Sequence, residues 1–217
     1  MKRNNNLWWA KRLIDAVLYS VIIWVVLFLL IYDSAVVYDI SMQPTFNADS
    51  GVVDTDMVYY NRLAKYHRGD VVIIQQEDDM IIKRVIALHG DRVRYQYDDS
   101  VYQLYINDQK VVEDYIKEEI TIDKLSNSNN AFQYVDSYDV TGYNPLATLR
   151  KNQPNNFDNY GNYIVPEGTI FVMGDNRLHS TDSKTKGGYI VGNVIGVVEM
   201  VIKSDDNAIT KLLDFVF

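Results

Sequence analysis

The sequence predicts a mostly β fold that follows a single N-terminal transmembrane helix. Three observations support this prediction: an uncharged apolar run near the N-terminus, a succession of short β-rich segments after it, and no convincing amphipathic helix of three turns beyond residue 33. Turn-forming Gly, Asn and Asp residues separate the β-rich segments. Short, closely spaced strands favour a compact all-β domain over alternating strands and helices.

The predicted transmembrane helix covers residues 13–32, with the uncharged stretch Ala16–Tyr32 as its core and Asp15 near its start. At about 1.5 Å per residue, such a helix spans roughly 30 Å, the thickness of the bilayer core. A cleaved signal sequence would need a shorter apolar stretch with small residues at its end, whereas bulky residues end this one. A buried core helix is the other alternative, and it would normally show a polar face.

Charge and aromatic residues predict the orientation of this anchor. The chain has a net charge of −8, yet residues 1–12 contain four basic residues and no acid. Basic residues favour the cytoplasmic side, and Trp8, Trp9, Tyr19 and Tyr32 lie near the two ends of the span, as interfacial aromatic residues do. We therefore expect a single-pass plasma-membrane protein with a cytoplasmic N-terminus and an extracytoplasmic domain. An acidic chain is a poor candidate for binding nucleic acid.

The region beyond the anchor divides by composition, because Asn, Ser, Tyr and Asp dominate between Lys124 and Asn162. We expect an inserted β and loop region at 98–163, since a structureless loop of that length is uncommon inside one domain. The predicted organisation is a basic N-terminus at 1–12, the helix at 13–32, one β domain formed by 33–97 and 164–217, and the insertion. The predicted strands are Asp56–Tyr60, Asp70–Gln75, Met80–Leu88, Arg92–Tyr97, Leu104–Ile106, Thr169–Met173 and Val191–Ile202.

Composition also restricts the chemistry. The chain has no cysteine and three scattered histidines, His67, His89 and His179. Without cysteine there is no disulfide scaffold, thiolate zinc site, iron–sulfur cluster or cysteine nucleophile, and little remains for a His-rich metal site. We therefore expect no metal and no cofactor. A hydrolytic nucleophile would have to be Ser, Thr, Asp or Lys.

Three segments could carry such chemistry: Asp39–Phe46 just past the membrane exit, Ile81–Ile86, and Met173–Lys184. Each segment alone is weak evidence. A serine in a turn such as Ser41-Met-Gln-Pro-Thr is common at protein surfaces. The third segment by itself is consistent with a structural loop whose Asp and Ser side chains cap their own backbone.

The second segment contains two adjacent cations. On a strand, Lys83 and Arg84 face opposite sides of the sheet. One of the two therefore lies on the inner side, where it must either be buried or extend along the apolar surface until its charged end reaches water. Burial among isoleucines would lower the pKa of Lys83 and make it a usable base. The strand pattern alone leaves open an exposed lysine whose stem packs on the strand.

Together, and in this order behind an anchor, these segments resemble bacterial type I signal peptidase (leader peptidase), a membrane-anchored family with a Ser/Lys dyad. The resemblance extends to about Val198 and is weakest in the insertion. It implies an extracytoplasmic all-β signal-peptidase-like domain with an inserted smaller β region. It also implies a serine endopeptidase that acts on the signal peptides of secreted preproteins, after a small-x-small motif, at the bilayer. The matching motifs are Ser41–Thr45, Ile82–Arg84 and Gly174–Lys184, with support from Arg68–Val72, Gly90–Val93 and Val165–Gly168.

The resemblance implies a role for each matched residue. Ser41 would be the nucleophile, its backbone N–H would bind the oxyanion, and Lys83 would be the general base. Ser180 would orient the lysine within a supporting network that contains Ser180, Asp182, Asp175 and Arg177. The substrate pockets would be lined by Val37, Met42, Phe46 and Ile82.

The chain departs from the family pattern at several positions. Asp39 stands where the family usually has Gly or Ser, and an ionised carboxylate there would oppose a developing oxyanion. Lys184 replaces an arginine and so lacks its planar fork. Leu178-His179, Ala87 and His89 are further departures. None of these changes removes the dyad, so we expect a divergent member with a narrow substrate set.

Two other functions are compatible with parts of the sequence. A non-catalytic or specialised relative would serve exported surface proteins as an assembly partner or chaperone, and Asp39 and the Tyr/Asn-rich insertion motivate this alternative. The retention of Ser41 and Lys83 argues against it. A self-cleaving regulator of the related Ser/Lys type would carry a DNA-binding segment, whereas this chain has a bilayer span in that place.

Overall fold

The computed structural model of the protein describes residues 5–47, 55–77, 79–121 and 144–203, with side chains from Trp8 onward. Several parts of the predicted organisation lie outside the described residues: 1–4 of the basic N-terminus, 48–54 and 78 of the β domain, the Ser/Asn-rich core of the insertion at 122–143, and the C-terminal stretch at 204–217.

The chain begins with one long helix, α1 (Asn5–Ile31). Within its stretch Trp8–Ile31, the most apolar 18-residue window has a mean hydropathy of 2.7, and none of that window is buried against the rest of the protein. A helix that is apolar on all sides and unburied is stable in lipid rather than in water. By length and composition α1 could cross a membrane, and it is the one such helix among the described residues.

The main sheet contains seven strands, and every neighbouring pair is antiparallel. Their bounds are β1 (Tyr32–Val36), β2 (Met57–Asn61), β3 (Val71–Gln76), β4 (Asp79–Leu88), β9 (Thr169–Met173), β10 (Tyr189–Ile190) and β11 (Val194–Ile202). They are arranged in the order β1-β2-β11-β3-β4-β9-β10.

A second, four-stranded sheet contains β5 (Arg92–Asp98), β6 (Val101–Ile106), β7 (Gln109–Lys110) and β8 (Tyr163–Ile164), in the order β7-β6-β5-β8. Short helices at Ala147–Asn152 and Ser183–Lys186 follow in the connections, with 3-10 turns at Ile40–Met42, Pro154–Asn156, Arg177–His179 and Val191–Asn193. The mostly β fold behind an apolar helix is confirmed. Each of the seven predicted strands is present, although the last begins at Val194 because a 3-10 turn precedes it.

Strand pairing brings two of the three candidate segments together. In the antiparallel ladder between β4 and β9, Arg84 lies opposite Met173. The loop that begins at Gly174 therefore starts beside the part of β4 that contains Lys83 and Arg84. In the other ladder of β4, Lys83 lies opposite Val72 of β3, so the lysine is held in the middle of the sheet.

The remaining candidate segment, Asp39–Phe46, forms the turn that follows β1. It packs on a buried apolar cluster that includes Met42, Phe46, Val58 and Ile82. Burial of each such side chain contributes roughly 1.5–3 kcal/mol to folding. This cluster therefore fixes the turn containing Ser41 against the strand containing Lys83.

Candidate active site

Ser41 lies in the 3-10 turn Ile40–Met42 and is only 1% exposed. Backbone bonds close the turn, from Gln43 N to Ile40 O at 3.1 Å and from Phe46 N to Met42 O at 3.1 Å. The loop following β9 holds it from the other side. Asn176 donates from its backbone N to Ser41 O at 2.9 Å and from its side-chain Nδ2 to Ile40 O at 3.1 Å.

Lys83 reaches Ser41 from the middle of the sheet. Its Nζ lies 2.7 Å from Ser41 Oγ and donates to Ile82 O at 2.9 Å, and the residue is 3% exposed. Burial lowers the pKa of Lys83, and the nearby carboxylates of Asp182, Asp39 and Asp175 only partly oppose this effect. These surroundings favour the neutral form of the lysine, and the neutral amine is the form that can accept a proton.

The backbone N–H of Ser41 belongs to the first turn of a short 3-10 helix, where backbone N–H groups have no partner within the helix. Asp39 precedes this turn without capping it and is exposed. Its carboxylate lies near enough to Lys83 to raise the pKa of that amine, so Asp39 contributes negative charge at the site.

A cleft of about 610 Å³ opens in front of the dyad. Of the predicted pocket residues, Val37 and Ile82 line it together with Ser41 and Lys83. Met42 and Phe46 are instead buried in the apolar cluster below the turn. Lining residues that the sequence did not indicate include Ala35, Val36, Tyr38, Val58, Ile73 and Met80. Tyr38 follows β1 and the others lie on β1, β2, β3 and β4, and the unpredicted β1 explains why the first of them were missed.

Asp175 joins the three candidate segments. Arg84 donates to it twice, from Nε to Oδ1 at 2.9 Å and from Nη2 to Oδ2 at 2.6 Å. Thr45, in the nucleophile segment, donates its hydroxyl to Oδ2. The carboxylate is completely buried. A paired carboxylate with three donors in such a place rigidifies the surrounding backbone, since bidentate Arg–carboxylate pairs are among the strongest polar contacts.

Asp182 forms a second buried pair, with Lys184. The ammonium of Lys184 donates to both carboxylate oxygens, at 2.8 and 2.6 Å, and Lys184 is 1% exposed. Asp182 also accepts from the backbone N–H groups of Gly174 and Lys184, each at 3.0 Å. Burial would raise the pKa of Asp182, but Lys184 and the backbone donors hold it below its ordinary value. Lys184 thus reaches both oxygens without the planar fork of an arginine.

Ser180 is buried between these groups. Its Oγ makes no hydrogen bond among the described residues by distance and angle, although it lies close enough to Asp182 to help lower the pKa of that carboxyl. A Cβ added at Gly174 would lie 2.4 Å from Ser180 Oγ and 2.4 Å from Ser41 O. Only a glycine therefore fits between the nucleophile turn and Ser180.

Arg177 is fully buried, and its hydrogen-bond partners lie outside the dyad. It forms a bidentate ion pair with Glu113 and also donates to Tyr95 Oη at 3.1 Å and to Gly174 O at 3.1 Å. Sequence reasoning missed Glu113 and Tyr95. Neither belongs to a matched motif, and both lie far from Arg177 along the chain.

The described residues contain no group of three or more His, Cys, Asp or Glu side chains that could hold a metal ion. A buried hydroxyl, an amine with a lowered pKa and an available backbone N–H at the edge of a cleft are the components of nucleophilic acyl transfer.

Comparison with known proteins identifies the family. The family described as "Signal peptidase, peptidase S26" matches residues 10–203. A signal peptidase I of Bacillus amyloliquefaciens is 32% identical over 214 residues, which are 97% of this chain and 94% of the relative. Signal peptidase I S of Bacillus subtilis is 32% identical over 183 residues, covering 84% and 80%.

A crystal structure of a signal peptidase I from Enterococcus faecalis is 26% identical, with a TM-score of 0.38, and covers 63% of this chain and 98% of that one. The family assignment does not depend on it, because the family match spans most of the chain and the relative from B. amyloliquefaciens is similar along nearly its whole length. The chain therefore belongs to the signal peptidase family of serine endopeptidases, peptidase S26.

Proposed function

We propose that this membrane-anchored serine endopeptidase removes signal peptides from secreted preproteins after a small-x-small motif. Ser41 is the nucleophile and Lys83 the general base. One observation carries the assignment of the dyad: Lys83 Nζ lies 2.7 Å from Ser41 Oγ, with both residues buried at the wall of a cleft. The catalytic domain is formed by 33–97 and 164–217.

The geometry supports a two-step reaction. Neutral Lys83 accepts the hydroxyl proton of Ser41 as the serine oxygen attacks the scissile carbonyl. The lysine amine meanwhile continues to donate one hydrogen bond to Ile82 O. The Ser41 backbone N–H stabilises the oxyanion. Lys83 then gives its proton to the leaving amine, and the signal peptide remains as an acyl ester on Ser41. Lys83 next activates a water molecule, whose attack releases the signal peptide and restores the serine.

The walls of the cleft support the substrate class. Residues of β1 and the first half of β4 both line it, so an extended peptide between them could pair with strand backbone. Its apolar floor includes Val58 and Ile73, which suits short apolar side chains next to the scissile bond. Small residues at two alternate positions of an extended peptide would face the same wall.

The anchor places this cleft near the membrane. α1 ends at Ile31 and β1 begins at Tyr32, so Ser41 lies within roughly 35 Å of the helix end by chain length alone. Arg62 secures the junction by donating to Ile31 O from its backbone at 2.9 Å. The basic residues ahead of the helix favour a cytoplasmic N-terminus and an extracytoplasmic active site. Substrate and enzyme would then share one bilayer surface, which raises their effective concentration.

The proposal is tested with the full chain in lipid vesicles. Ser41→Ala and Lys83→Ala should each abolish cleavage of a preprotein with a small-x-small site, and mass spectrometry should locate the cut after that motif in the unaltered protein. Lys110→Ala is the matched control, because Lys110 is exposed on β7. Full activity in either dyad variant would contradict the assignment. An unaltered protein that binds exported proteins without cleaving them would support the assembly-partner alternative.

A further inference from the structure

Among the described residues of the inserted region, one short segment reaches the catalytic centre. Residues Glu113–Lys117 follow β7 and form an irregular stretch that we call the brace. Its residues contact the nucleophile turn, the Lys83 strand and the loop following β9. These are the three segments on which the proposed chemistry depends, although the brace belongs to none of them.

Glu113 attaches the brace to the loop. Its carboxylate receives both Nη groups of Arg177, one of them at 2.9 Å. The guanidinium is fully buried and the carboxylate is 9% exposed. Arg177 Nε donates in turn to Gly174 O at 3.1 Å. A buried bidentate pair therefore connects the brace to the residue that packs against Ser41 O.

Tyr115 attaches the brace to the Lys83 strand. The guanidinium of Arg84 lies 4.2 Å from the centroid of the Tyr115 ring, and that of Arg177 lies 5.8 Å away. Cations over an aromatic face are attracted by its quadrupole. The ring thus contacts both guanidinium groups, one of which belongs to the residue next to the general base.

Lys117 attaches the brace to the nucleophile turn. Its backbone N donates to Asp175 O at 3.1 Å, and its Nζ donates to Gln43 Oε1 at 2.7 Å. Gln43 is buried, and its Nε2 donates in turn to Asn47 O at 2.8 Å. The lysine therefore fixes a side chain two residues after Ser41, on the closing half of its turn.

We propose that the brace positions the nucleophile turn against Lys83, with Lys117 as a positioning residue that acts through Gln43. This role is additional to the proposed peptidase function and rests on it. None of the brace residues lines the cleft in front of the dyad. Loss of the contact should therefore affect the chemical step rather than substrate binding.

Lys117→Met tests the role in the full chain in lipid vesicles, with Lys110→Met as the matched control and Lys117→Arg as the conservative rescue. Arginine can still donate to Gln43. We expect kcat to fall about tenfold in Lys117→Met while KM stays within about twofold, because small displacements of a reacting group are costly. Lys117→Arg should regain most of kcat, and Lys110→Met should match the unaltered protein. Equal kcat in Lys117→Met and Lys110→Met would overturn the proposal.

Hydrogen exchange gives a readout that does not need activity. Amides of residues 40–47 should exchange faster in Lys117→Met than in Lys110→Met, whereas those of β3 should not change. If the unaltered protein failed to cleave any preprotein but this local difference appeared, the proposed function would fail and the brace would stand. Unchanged exchange at 40–47, or faster exchange throughout the sheet, would contradict a positioning role.

Discussion

Lys83 Nζ lies 2.7 Å from Ser41 Oγ, and the same amine donates a hydrogen bond to Ile82 O at 2.9 Å. Both side chains are almost completely buried. The arrangement is useful only when the lysine has lost its proton, because an ammonium has no lone pair to accept the serine proton. The burial that destabilises the charged lysine is therefore part of the catalytic design, and its cost should be measurable as lost stability.

Lys83→Met should stabilise the protein while abolishing its activity. The pKa of Lys83 is lowered in the folded state from an ordinary value of 10.5, so folding carries a penalty below the folded pKa. That penalty shrinks as the pH rises above the folded pKa and disappears above pH 10.5, where both states are neutral. We expect the free energy of unfolding to rise by about 1–2 kcal/mol near pH 7. Replacing a residue that an active site keeps at a cost in stability commonly stabilises a protein by this amount.

Denaturant unfolding of the full chain in micelles at pH 7 and pH 10.5 measures this gain. It should be largest at pH 7 and should shrink at the higher pH, with little change in Lys110→Met at either. Lower stability of Lys83→Met at pH 7 would argue that the lysine is not penalised by burial.

Gly174→Ala should inactivate the enzyme. The added Cβ would lie 2.4 Å from both Ser180 Oγ and Ser41 O, so the nucleophile turn must move. A shift of about 1 Å costs roughly 100-fold in rate. Gly192→Ala is the matched control, since a Cβ there meets no atom within 4 Å. Cleavage rates of the two variants measure the effect, and equal activity would show that the contact at Gly174 is not rigid.

Lys184→Met should destabilise the protein by about 3–5 kcal/mol near pH 7, because it leaves Asp182 buried and unpaired. Lys186→Met, on the same short helix but exposed, should change stability little. The two are compared by their unfolding midpoints in denaturant.

The pH dependence of that loss has a defined sign. Asp182 has a lowered pKa in the folded state, so it contributes stability above its ordinary pKa of 3.8 and loses it as the pH falls through the folded value. Without Lys184, the main cause of that lowering is gone. The variant should therefore unfold at a higher pH in an acid titration, and an unshifted titration would contradict the pairing.

Asp39→Ser should raise kcat about tenfold. The substitution removes a carboxylate beside the nucleophile turn and adds a hydroxyl that can donate to the oxyanion, a kind of contact worth 100-fold or more in other enzymes. Asp39→Gly removes the charge alone and should give a smaller rise. The rates are compared on the high-pH plateau, because loss of Asp39 also lowers the pKa of Lys83. An unchanged kcat in both variants would show that Asp39 points away from the reacting carbonyl.

The parts of this site that the sequence predicted are those with a local signal. Short apolar runs between turn formers predicted seven strands, and pairing of β4 with β9 places Arg84 beside Met173, which explains why two distant motifs meet. Lys83 was ambiguous from the strand pattern alone. Its burial depends on the turn containing Ser41, which lies 42 residues earlier and has no periodicity that relates it to β4.

Contacts without a local signal could not be predicted. β1 (Tyr32–Val36) follows the apolar helix without a turn, so its short run could not be separated from the end of the span. The brace makes its contacts through Glu113, Tyr115 and Lys117, whose partners lie in other segments. Met42 and Phe46 were expected in the substrate pockets, but their large apolar side chains fill the core below the turn instead. Such preferences depend on tertiary packing rather than on sequence spacing.

The central claim is that Lys83 titrates as the catalytic base, and the absence of cysteine from the chain permits a direct test. Lys83→Cys introduces a unique thiol, which can be aminoethylated to give a lysine analogue whose amine is less basic because of the neighbouring sulfur. The measurement is the pH dependence of kcat/KM for preprotein cleavage. The account predicts no activity in Lys83→Cys, recovery after aminoethylation, and an acidic limb moved to lower pH relative to the unaltered protein. Recovered activity with an unmoved acidic limb would contradict it.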